Sequence, residues 1–308
     1  MKPLTSVHAV MLNWNSYDVT SACIRSLKKS LYPLQKIIVV DQASADGSCD
    51  KLEHEFQDEQ VVFVRNERNE GFAGGMNIGF RHALAMEAEM VFSINNDTEV
   101  DPACIGFLVQ ALESDQSAGI AGPAIMYHKY PEKIWLVGGH FSKLRAGILV
   151  PEKGKRINDI STKTRRVTFL TGCAILIRKR VLEEVGSLDT SYFFYSEDID
   201  YDLRVLEQGM NLLFVPEAKV WHKIEEVAAD RTSPYVLYHL ARSTVLVFRK
   251  RFSAPYRWYA VLLHVALYTP FRLWQVIKGG ARLRSFWAWV SGLWAGIRAD
   301  RTTKAPAL

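Results

Sequence analysis

Cysteine is scarce in this 308-residue sequence, and the few that occur lack the C-x-x-C spacing of metal or redox sites; they are Cys23, Cys49, Cys104 and Cys173. Neither a structural zinc site nor a disulfide framework is therefore expected, and a reducing compartment is favoured. The amino terminus also lacks the long uninterrupted apolar run of a signal peptide. We expect a cytoplasmic protein, whose hydrophobic content of 48% is enough for a large core.

No G-x-G-x-x-G motif follows the first expected strand, residues 7–13, so an ordinary dinucleotide-binding fold is disfavoured. Helical spacing over residues 17–31 and a β-branched run at residues 36–40 still predict a parallel, right-handed β-α-β opening. The second strand ends at Asp41, whose acceptor oxygens suit a nucleotide base or ribose. The alternative is that Asp41 is a loop carboxylate that caps the next helix.

Acidic residues are almost absent from residues 231–308, which contain 13 lysines and arginines against one acid, Asp300; the rest of the chain has 25 against 32. The same segment contains five of the eight tryptophans: Trp258, Trp274, Trp287, Trp289 and Trp294. Basic residues interleaved with tryptophan are typical of proteins that bind nucleic acid or an anionic membrane. The apolar stretches between the charges favour the membrane and disfavour nucleic acid.

A run of about 20 apolar residues, which a membrane-spanning helix needs, is missing from this segment. Its longest uncharged stretches, residues 258–271 and 285–297, have 14 and 13 residues, and Pro270 and Arg272 are expected to end the first. We therefore predict helices that lie in the membrane interface, anchored by tryptophan and arginine. The alternative is that they pack on the rest of the protein as a soluble cap or form a homodimer interface.

The stretch around which the remaining sequence is organised is VFSINNDTEVDP, residues 91–102. A short buried strand is predicted at residues 91–94, and Asn95 and Asp97 follow where it ends. Ligands of open α/β sheets bind outside the carboxyl ends of the strands, and a divalent cation that bridges a diphosphate needs one or two carboxylates. Asp97 is our candidate for that ligand. The alternative is an Asx turn that caps the next helix.

Four glycines occur close together after the third expected strand, at Gly71, Gly74, Gly75 and Gly79. Glycines at a loop-to-helix junction let backbone amides approach an anion closely, with the amino end of the helix directed at it. Packing or turn geometry is the other interpretation. A further glycine, Gly172, interrupts a strand predicted at residues 167–178, where it leaves room for a ligand or makes a bulge.

A second acidic cluster begins a predicted helix after the aromatic run at residues 192–195, and it consists of Glu197, Asp198, Asp200 and Asp202. Acids are electrostatically favoured at the amino end of a helix, which is a sufficient structural explanation. Apolar neighbours also raise the pKa of a carboxylate toward that of a useful general base. His222, at the end of the last expected strand, is either a structural histidine or a nitrogen ligand for a metal at Asp97.

Six motifs occur in a fixed order: VVDQASADGS, NEGFAGGMNIG, INNDTE, FLTGCAILIRK, FFYSEDIDYDLR and a late WH. Together they resemble the signatures of inverting family 2 glycosyltransferases of the GT-A fold, in the branch that includes bacterial rhamnosyltransferases. The resemblance covers residues 5–225, approximately. It implies a Rossmann-like α/β domain with a mainly parallel central sheet over residues 1–230, followed by a helical, membrane-associating extension over residues 231–308.

The resemblance further implies metal-dependent transfer of a sugar, with rhamnose preferred, from a nucleoside-diphosphate sugar such as dTDP-rhamnose or a UDP-sugar. The metal is expected to be Mg²⁺ or Mn²⁺. The acceptor is expected to be a hydroxyl of a lipid-linked or polysaccharide glycan, presented at the inner face of the cell membrane. The QxxRW motif of processive synthases is missing, which favours the addition of a single sugar.

Residue roles are implied in the same way. Asp198 resembles the catalytic base with Glu197 beside it, and Asp97 and His222 resemble metal ligands. Asp41 resembles the residue that hydrogen-bonds the pyrimidine base. The full set implied to bind the nucleotide sugar is Asn13, Asp41, Asn69, Gly71, Gly74, Asn77, Asn95 and Gly172.

The sequence departs from the family pattern at three positions. Asn95, which is implied to lie nearer the ribose, and Asn96 stand where the family has acids, and Gln42 stands where it usually has Asn. A metal would therefore depend more heavily on Asp97 and His222.

Two other functions are left open by the sequence. A sugar nucleotidyltransferase should have a glycine-rich loop with arginine and lysine after the first strand, where this sequence reads LNWNSYD. A non-catalytic, membrane-associated adaptor that binds glycans or nucleotides would keep its function if Asp97 or Asp198 were lost.

Overall fold

A ten-stranded sheet forms the centre of the computed structural model, which describes residues 4–224, 232–278 and 283–300. Its strands are β1 (Val7–Asn13), β2 (Leu34–Asp41), β3 (Val61–Arg65), β4 (Met90–Ile94), β5 (Thr98–Val100), β6 (Ala118–Tyr127), β7 (Ile134–Leu136), β10 (Arg165–Val167), β11 (Ala174–Arg178) and β12 (Asn211–His222). A separate hairpin consists of β8 (His140–Ser142) and β9 (Gly147–Leu149).

The helices of the sheet domain are α1 (Tyr17–Leu27), α2 (Ser48–Glu55), α3 (Gly71–Ala85), α4 (Cys104–Ser114), α5 (Lys179–Glu184) and α6 (Glu197–Glu207). A 3₁₀ turn lies at Ile157–Asp159. The carboxyl-terminal segment contributes α7 (Pro234–Arg251), α8 (Tyr256–Ile277) and α9 (Leu283–Arg298).

The strand order is β10-β12-β6-β11-β4-β1-β2-β3, with β5 added beside β12 and β7 beside β6. Strands β1 to β4 are parallel to one another, β6 is parallel to β12, and β11 runs antiparallel to both β4 and β6. Six strands therefore share one direction, which confirms the mainly parallel sheet predicted from the sequence. The carboxyl ends of these strands meet at one edge of the sheet, where ligands of such sheets bind.

Helices cover both faces of the sheet because side chains of a strand alternate between its two faces. In β1, Ala9 and Met11 join the core under α1, α2 and α4, whereas Val10 joins the core under α3, α5 and α6. All of these side chains are fully buried. The four cysteines, all within the described residues, are buried free thiols.

The glycine-rich segment is helical from Gly71 onward, earlier than the sequence suggested. A Cβ added at Gly79 would stand 2.2 Å from Val10, and one added at Gly75 would stand 2.0 Å from the amide nitrogen of Gln42. These two glycines therefore let α3 lie close against the sheet. The packing interpretation accounts for these two glycines, and anion binding by the loop stays a prediction.

The strand predicted at residues 167–178 is two strands, β10 at the edge of the sheet and β11 near its centre. Residues 168–173 connect them, and part of this connection donates its backbone N–H groups to carboxylates of α6. Leu170 N donates to Asp202 at 2.6 Å, and Gly172 N donates to Asp198 at 3.2 Å. Pairing with side chains in place of a neighbouring strand is what ends the regular β structure.

Helix α8 runs unbroken through Pro270, so the expectation that Pro270 and Arg272 would end it is wrong. Proline removes one backbone hydrogen bond, and here both Pro270 and Ala266, the residue four positions earlier, lie on the exposed face of the helix. By length and composition this 22-residue helix alone, among the described residues, could cross a membrane. The expectation that each apolar stretch is too short to span therefore does not hold for α8.

Helix α7 packs against the sheet domain. Lys250 forms a fully buried ion pair with Asp189 at 2.6 Å, and Arg251 lies 3.0 Å from the buried carboxylate of Asp200. Tyr192 packs with Leu246 of α7 in a small core of its own. The domain boundary that we predict at residue 230 lies outside the described residues, and the first helix beyond it is joined to the segment that precedes α6.

Candidate active site

Two residues far apart in sequence meet at the carboxyl edge of the sheet, Asp97 after β4 and His222 at the end of β12. Strand β5, which follows Asp97, pairs with β12 so that Thr98 lies opposite His222. The His222 Nε2 atom consequently lies 3.1 Å from Asp97 Oδ1, and the side chains are 5% and 18% exposed. The ring of Trp135 packs edge-on against His222 with 4.5 Å between the ring centroids.

The Asp97–His222 pair fits a divalent cation. Asp97 Oδ1 is buried without a hydrogen bond among the described residues, and the nitrogen of His222 that faces it is Nε2. Adjacent ligands of an octahedral ion at about 2.1 Å lie roughly 3 Å apart, close to the separation seen here. No cluster of three His, Cys, Asp or Glu side chains suited to a metal occurs in the described ranges. Two protein ligands leave room for the substrate phosphates that complete such sites in nucleotide enzymes.

Residues 172–173 connect this pair to the acidic cluster of α6. Asn95 N donates to Cys173 O at 2.8 Å on one side, and Gly172 N donates to Asp198 Oδ2 at 3.2 Å on the other. A Cβ at Gly172 would stand 3.4 Å from the Cβ of Asp198. Gly172 therefore positions Asp198, and the structure brings together Asn95, Asp97, Gly172 and Asp198 as the sequence suggested.

Asp198 and Glu197 open α6 side by side, in different environments. Asp198 is half-buried and accepts hydrogen bonds from Gly172 N and from the backbone N of Ile199. Glu197 is 8% exposed, and its Oε2 atom is buried without a partner in the described structure. Burial raises the pKa of both carboxyl groups, and the negative charge of Asp198 raises the pKa of Glu197 further.

A small enclosed cavity lies beside these two carboxylates and accounts for their raised pKa values. Its walls are largely apolar and include Phe72, Phe80, Ile175 and Ile177, together with Glu197, Asp198, Tyr201 and Asp202. Burial likewise raises the pKa of Asp202 well above its usual range, while its bond from Leu170 N lowers it. The apolar surroundings expected for these acids thus exist, but they come largely from Phe72 and Phe80 of α3 and from Ile175 and Ile177 of β11, and the aromatic run at residues 192–195 does not line the cavity.

The end of the site that the resemblance implies to bind the base is built on Asp41, at the carboxyl end of β2. Its carboxylate accepts hydrogen bonds from Asn13 Nδ2 at 2.8 Å and from the backbone N and Oγ of Ser44 at 2.9 and 2.6 Å. The side chain is almost fully buried. The loop after β2 therefore orients Asp41, and one lone pair of Oδ2 is left for a donor group of a ligand.

Asn13 is part of a hydrogen-bond chain at this edge. It is completely buried, its amide donates to Asp41 and Ser48, and its oxygen accepts from Thr20 Oγ1 at 2.9 Å. Thr20 in turn accepts from Asn96 Nδ2 at 2.8 Å. Asn13 thus orients Asp41 and connects it to the turn that carries Asp97, and its direct contact with a nucleotide stays a prediction.

The residues around the start of α3 also form hydrogen bonds within the protein. Asn69 Oδ1 accepts from Gly71 N at 2.8 Å, and Phe72 N donates to Phe193 O at 3.1 Å, so protein acceptors occupy this helix amino end. Asn77 is buried and exchanges two hydrogen bonds with the backbone of Leu188. Asn77 and the amino end of α3 thus have partners within the protein, and their contact with a nucleotide stays a prediction.

Gly71 and Gly74 also lie close to other protein atoms. Gly71 adopts a left-handed backbone (φ 71°), and a Cβ there would stand 2.7 Å from Phe193 O. A Cβ at Gly74 would stand 2.7 Å from the Cβ of Glu70, in the preceding turn. Both positions are constrained by neighbouring protein atoms, so a close approach of a ligand is not needed to explain them.

One functional candidate, Trp14, was missed in the sequence. It follows β1 at the carboxyl edge and is 58% exposed, and the next residue, Asn15, donates its backbone N–H to Ser44, which is bonded to Asp41. An exposed indole beside Asp41 offers a flat apolar face to a base. The signal available in the sequence was an aromatic residue directly after the first strand.

Comparison with known proteins shows the family to which this chain belongs. Residues 9–186, more than half of the chain and all of the strands from β1 to β11, match the model described as "Glycosyl transferase family 2". The chain belongs to glycosyl transferase family 2. As a member of it, the protein is a glycosyltransferase, and neither a sugar nucleotidyltransferase nor a non-catalytic adaptor is supported.

The names of curated relatives of this glycosyltransferase describe sugar transfer. It is 27% identical over 259 residues to a dTDP-rhamnosyl transferase of Shigella flexneri, a match that covers 80% of this chain and 81% of the relative. It is 25% identical over 243 residues to an N-acetylglucosaminyl-diphospho-decaprenol L-rhamnosyltransferase of Mycobacterium tuberculosis, covering 72% and 78%. The resemblance to rhamnosyltransferases seen in the motifs is confirmed.

The fold is confirmed as GT-A by solved structures. The glycosyltransferase superimposes on GalNAc-T7, solved with UDP, GalNAc and Mn²⁺, with a TM-score of 0.68 and 18% identity. The match covers 93% of this chain but 56% of the GalNAc-T7 chain, so this chain spans little more than half of that structure.

Proposed function

We propose that this glycosyltransferase transfers a single sugar, with inversion, from a nucleoside-diphosphate sugar to a hydroxyl group of a lipid-linked glycan. The observation that carries the proposal is the continuous edge that joins Asp41, the Asp97–His222 pair and Asp198. Hydrogen bonds through Asn13, Thr20 and Asn96 connect the first two, and residues 172–173 connect the last two. One extended donor molecule can contact all three parts.

Each part has a separate task in the reaction. Asp41 accepts a hydrogen bond from the pyrimidine base, and Trp14 stacks on it. Asp198, whose raised pKa makes it a stronger base, takes the proton from the acceptor hydroxyl as that oxygen attacks the anomeric carbon. Attack from the face opposite the diphosphate inverts the anomeric centre in one displacement. A covalent glycosyl-enzyme, and hence a nucleophile, is not needed.

Asp97 and His222 would hold the metal, whose charge would stabilise the diphosphate as it leaves. A carboxylate with an imidazole suits Mn²⁺, because imidazole nitrogen is a ligand for transition metals and Mg²⁺ favours oxygen alone. GalNAc-T7 was solved with Mn²⁺, which supports the same choice. We therefore propose Mn²⁺ ahead of Mg²⁺.

Rhamnose is the preferred sugar and dTDP the preferred carrier, with UDP-sugars as the alternative. The support is the pair of relatives named as a dTDP-rhamnosyl transferase and an L-rhamnosyltransferase. The name of the second relative contains a diphospho-decaprenol acceptor. We propose an acceptor of the same class, a saccharide linked through diphosphate to a polyprenol.

Such an acceptor is embedded in a membrane, and the carboxyl-terminal helices are suited to meet it. Helices α8 and α9 expose large apolar and aromatic side chains beside basic residues: Trp258, Leu262, Leu267, Phe271, Trp274, Ile277, Trp287 and Trp294. We propose that they lie in the inner face of the cell membrane and keep the enzyme peripheral and cytoplasmic.

A homodimer through these helices is the less favoured arrangement. Gly292 and Gly296 of α9 are already used within the chain, because a Cβ at Gly292 would stand 2.3 Å from Tyr238 O and one at Gly296 2.7 Å from Arg242 O. The small-residue face of α9 therefore packs on α7 and is not free for a second copy.

Donor turnover measures the proposal directly. A panel of dTDP- and UDP-sugars is incubated with the full chain and a membrane extract, with Mn²⁺, with Mg²⁺ and with EDTA. We expect one donor to be consumed only with metal, and Asp97→Ala and His222→Ala to abolish this consumption. Asp159→Ala, a change to an exposed acid of the 3₁₀ turn, is the matched control. Turnover that persists in EDTA and in both site variants would contradict the metal site.

A further inference from the structure

We infer that an aromatic platform binds the acceptor saccharide in front of Asp198. The aromatic platform is defined by Phe193, Phe194, Tyr195, Tyr235 and His239. The inference rests on the proposed function and extends it, because it assigns the part of the site that receives the acceptor. The family model ends at residue 186, before all five of these residues.

The aromatic platform is a contiguous set of rings from two elements. Phe193 lies 5.5 Å from His239, Phe194 lies 6.2 Å from Tyr235, and Tyr235 lies 4.6 Å from His239, between ring centroids. Within the loop, Phe194 and Tyr195 are 4.1 Å apart. The loop before α6 and the first turns of α7 thus form one surface.

This surface adjoins the catalytic base. Tyr195 is separated from Asp198 by Ser196 and Glu197 alone, and Phe193 O accepts from Phe72 N at 3.1 Å. Phe72 in turn lines the cavity beside Asp198. A molecule on the platform is therefore held next to the segment that carries Asp198, where the attacking hydroxyl of an acceptor must lie.

The backbone of the loop is held in an unusual conformation. Tyr195 and Ser196 both have φ of 66°, a left-handed value that residues other than glycine rarely adopt. Contacts from α7 stabilise it: Ser243 Oγ donates to Phe194 O at 2.9 Å, and Arg242 donates to Ser191 O at 2.9 Å. Strained backbone that neighbouring contacts maintain is concentrated at functional sites in proteins.

The chemistry of the platform fits a saccharide. Phe193 and Tyr235 are 38% and 54% exposed, although side chains of this size are usually buried. Sugar rings have apolar C–H faces that cover aromatic rings and hydroxyl edges that need hydrogen-bond partners. The hydroxyl that Asp198 deprotonates belongs to the sugar part of the acceptor, so the surface beside Asp198 receives that part and not the prenyl chain.

The test uses the full chain, the active donor and a water-soluble acceptor, N-acetylglucosaminyl diphosphate on a short alkyl chain, so that membrane binding plays no part. We expect Tyr235→Ala and His239→Ala to raise the KM for this acceptor about tenfold, the loss of one good ring contact, with kcat nearly unchanged. Tyr235→Phe should keep the wild-type KM, because the ring remains. Trp258→Ala, an exposed aromatic of α8, is the matched control.

Metal-dependent hydrolysis of the donor by water separates the two proposals. This reaction needs the donor site and no acceptor, so it should be unchanged in Tyr235→Ala and His239→Ala. If hydrolysis is intact and the acceptor KM of both variants equals that of the wild type, the platform is overturned and the proposed function stands. If the wild-type enzyme neither hydrolyses nor transfers any sugar of the panel, the proposed function itself fails.

Discussion

The sheet edge and the carboxyl-terminal helices expose opposite kinds of surface. At the edge, polar side chains such as Asn13, Asp41 and His222 are at most 5% exposed and are held by neighbouring residues. On α8 the relation is reversed, because Leu262 and Ile277 are 67% and 72% exposed. A polar group is buried at a cost that function can justify, and a large apolar group is exposed where another apolar phase covers it.

Helix α7 belongs to both regions. One of its faces packs on α8 and α9 through Ala241 and Val245, and another contacts the loop before α6 through Lys250 and α6 itself through Arg251. The carboxyl-terminal helices are therefore structurally connected to the sheet domain. A surface suited to a membrane is connected through one helix to the loop that carries the acceptor platform and leads into Asp198.

The largest expected effect comes from a change at the sheet edge alone. Asp198→Asn keeps the shape of the side chain and removes the base, so transfer should fall by about 10²–10⁴. Binding of the donor and of lipid vesicles should not change, since Asn can still accept from Gly172 N. Steady-state transfer assays and vesicle co-sedimentation measure the two. Loss of vesicle binding together with activity would contradict the separation of the two regions.

The second-largest effect is expected at the ion pair that connects α7 to the loop before α6. Lys250→Met should lower the free energy of unfolding by about 3–5 kcal/mol, because Asp189 would stay buried without its partner. Chemical denaturation measures this loss. The double variant Lys250→Met with Asp189→Leu removes both charges and should recover much of the stability. If the double variant is as unstable as the single one, the ion pair is not what connects α7 to the loop.

A smaller effect is expected on the helices alone. Trp274→Ala should weaken binding to vesicles that contain anionic lipid by roughly ten- to a hundredfold, because about 1.5–3 kcal/mol of side-chain burial is lost. Turnover of a soluble acceptor should stay the same. Leu31→Ala, at a residue that is 79% exposed on the sheet domain, should change neither measurement. Equal vesicle binding by wild type and Trp274→Ala would show that this face of α8 does not meet the membrane.

The smallest effect is a shift in pH dependence. Burial raises the pKa of Asp198, and the base works only when it is deprotonated. Activity should therefore fall, as pH is lowered, at a higher pH than an ordinary aspartate would give. Glu197→Gln should leave this acid limb in place, because the pKa of Glu197 is raised by the charge of Asp198 as well as by burial, so it ionises after Asp198. If the acid limb of Glu197→Gln moved to lower pH, Glu197 would have to ionise before Asp198, which would contradict the prediction.

Much of the edge could be predicted because its features are local. A β-branched run followed by a polar residue marks a buried strand and its end, as at Asp41 and Asp97, and parallel strands must bring such ends to one edge. Asp198 was found for the same reason, since a helix start rich in acids is visible in a few residues.

Sequence patterns are least informative where the contacts of a residue lie far away in the chain. Asn77 and Gly79 look like members of an anion-binding loop, but their neighbours are Leu188 and Val10, and no pattern within the loop reveals them. The break at residues 168–173 depends on carboxylates of α6. Pro270 was judged by its usual effect, whereas the exposed face on which it lies determined the outcome.

The fold class, the strand ends that carry Asp41 and Asp97, and the basic, tryptophan-rich character of the carboxyl-terminal segment can all be predicted from the amino-acid sequence. Those properties follow from the periodicity, composition and order of neighbouring residues. The contact of His222 with Asp97, the orientation of Asp41 by Asn13 and the packing of α7 on the aromatic loop are visible only in the folded structure. The reason is physical: short-range patterns specify backbone conformation and burial, and contacts between distant segments exist only once the sheet has assembled.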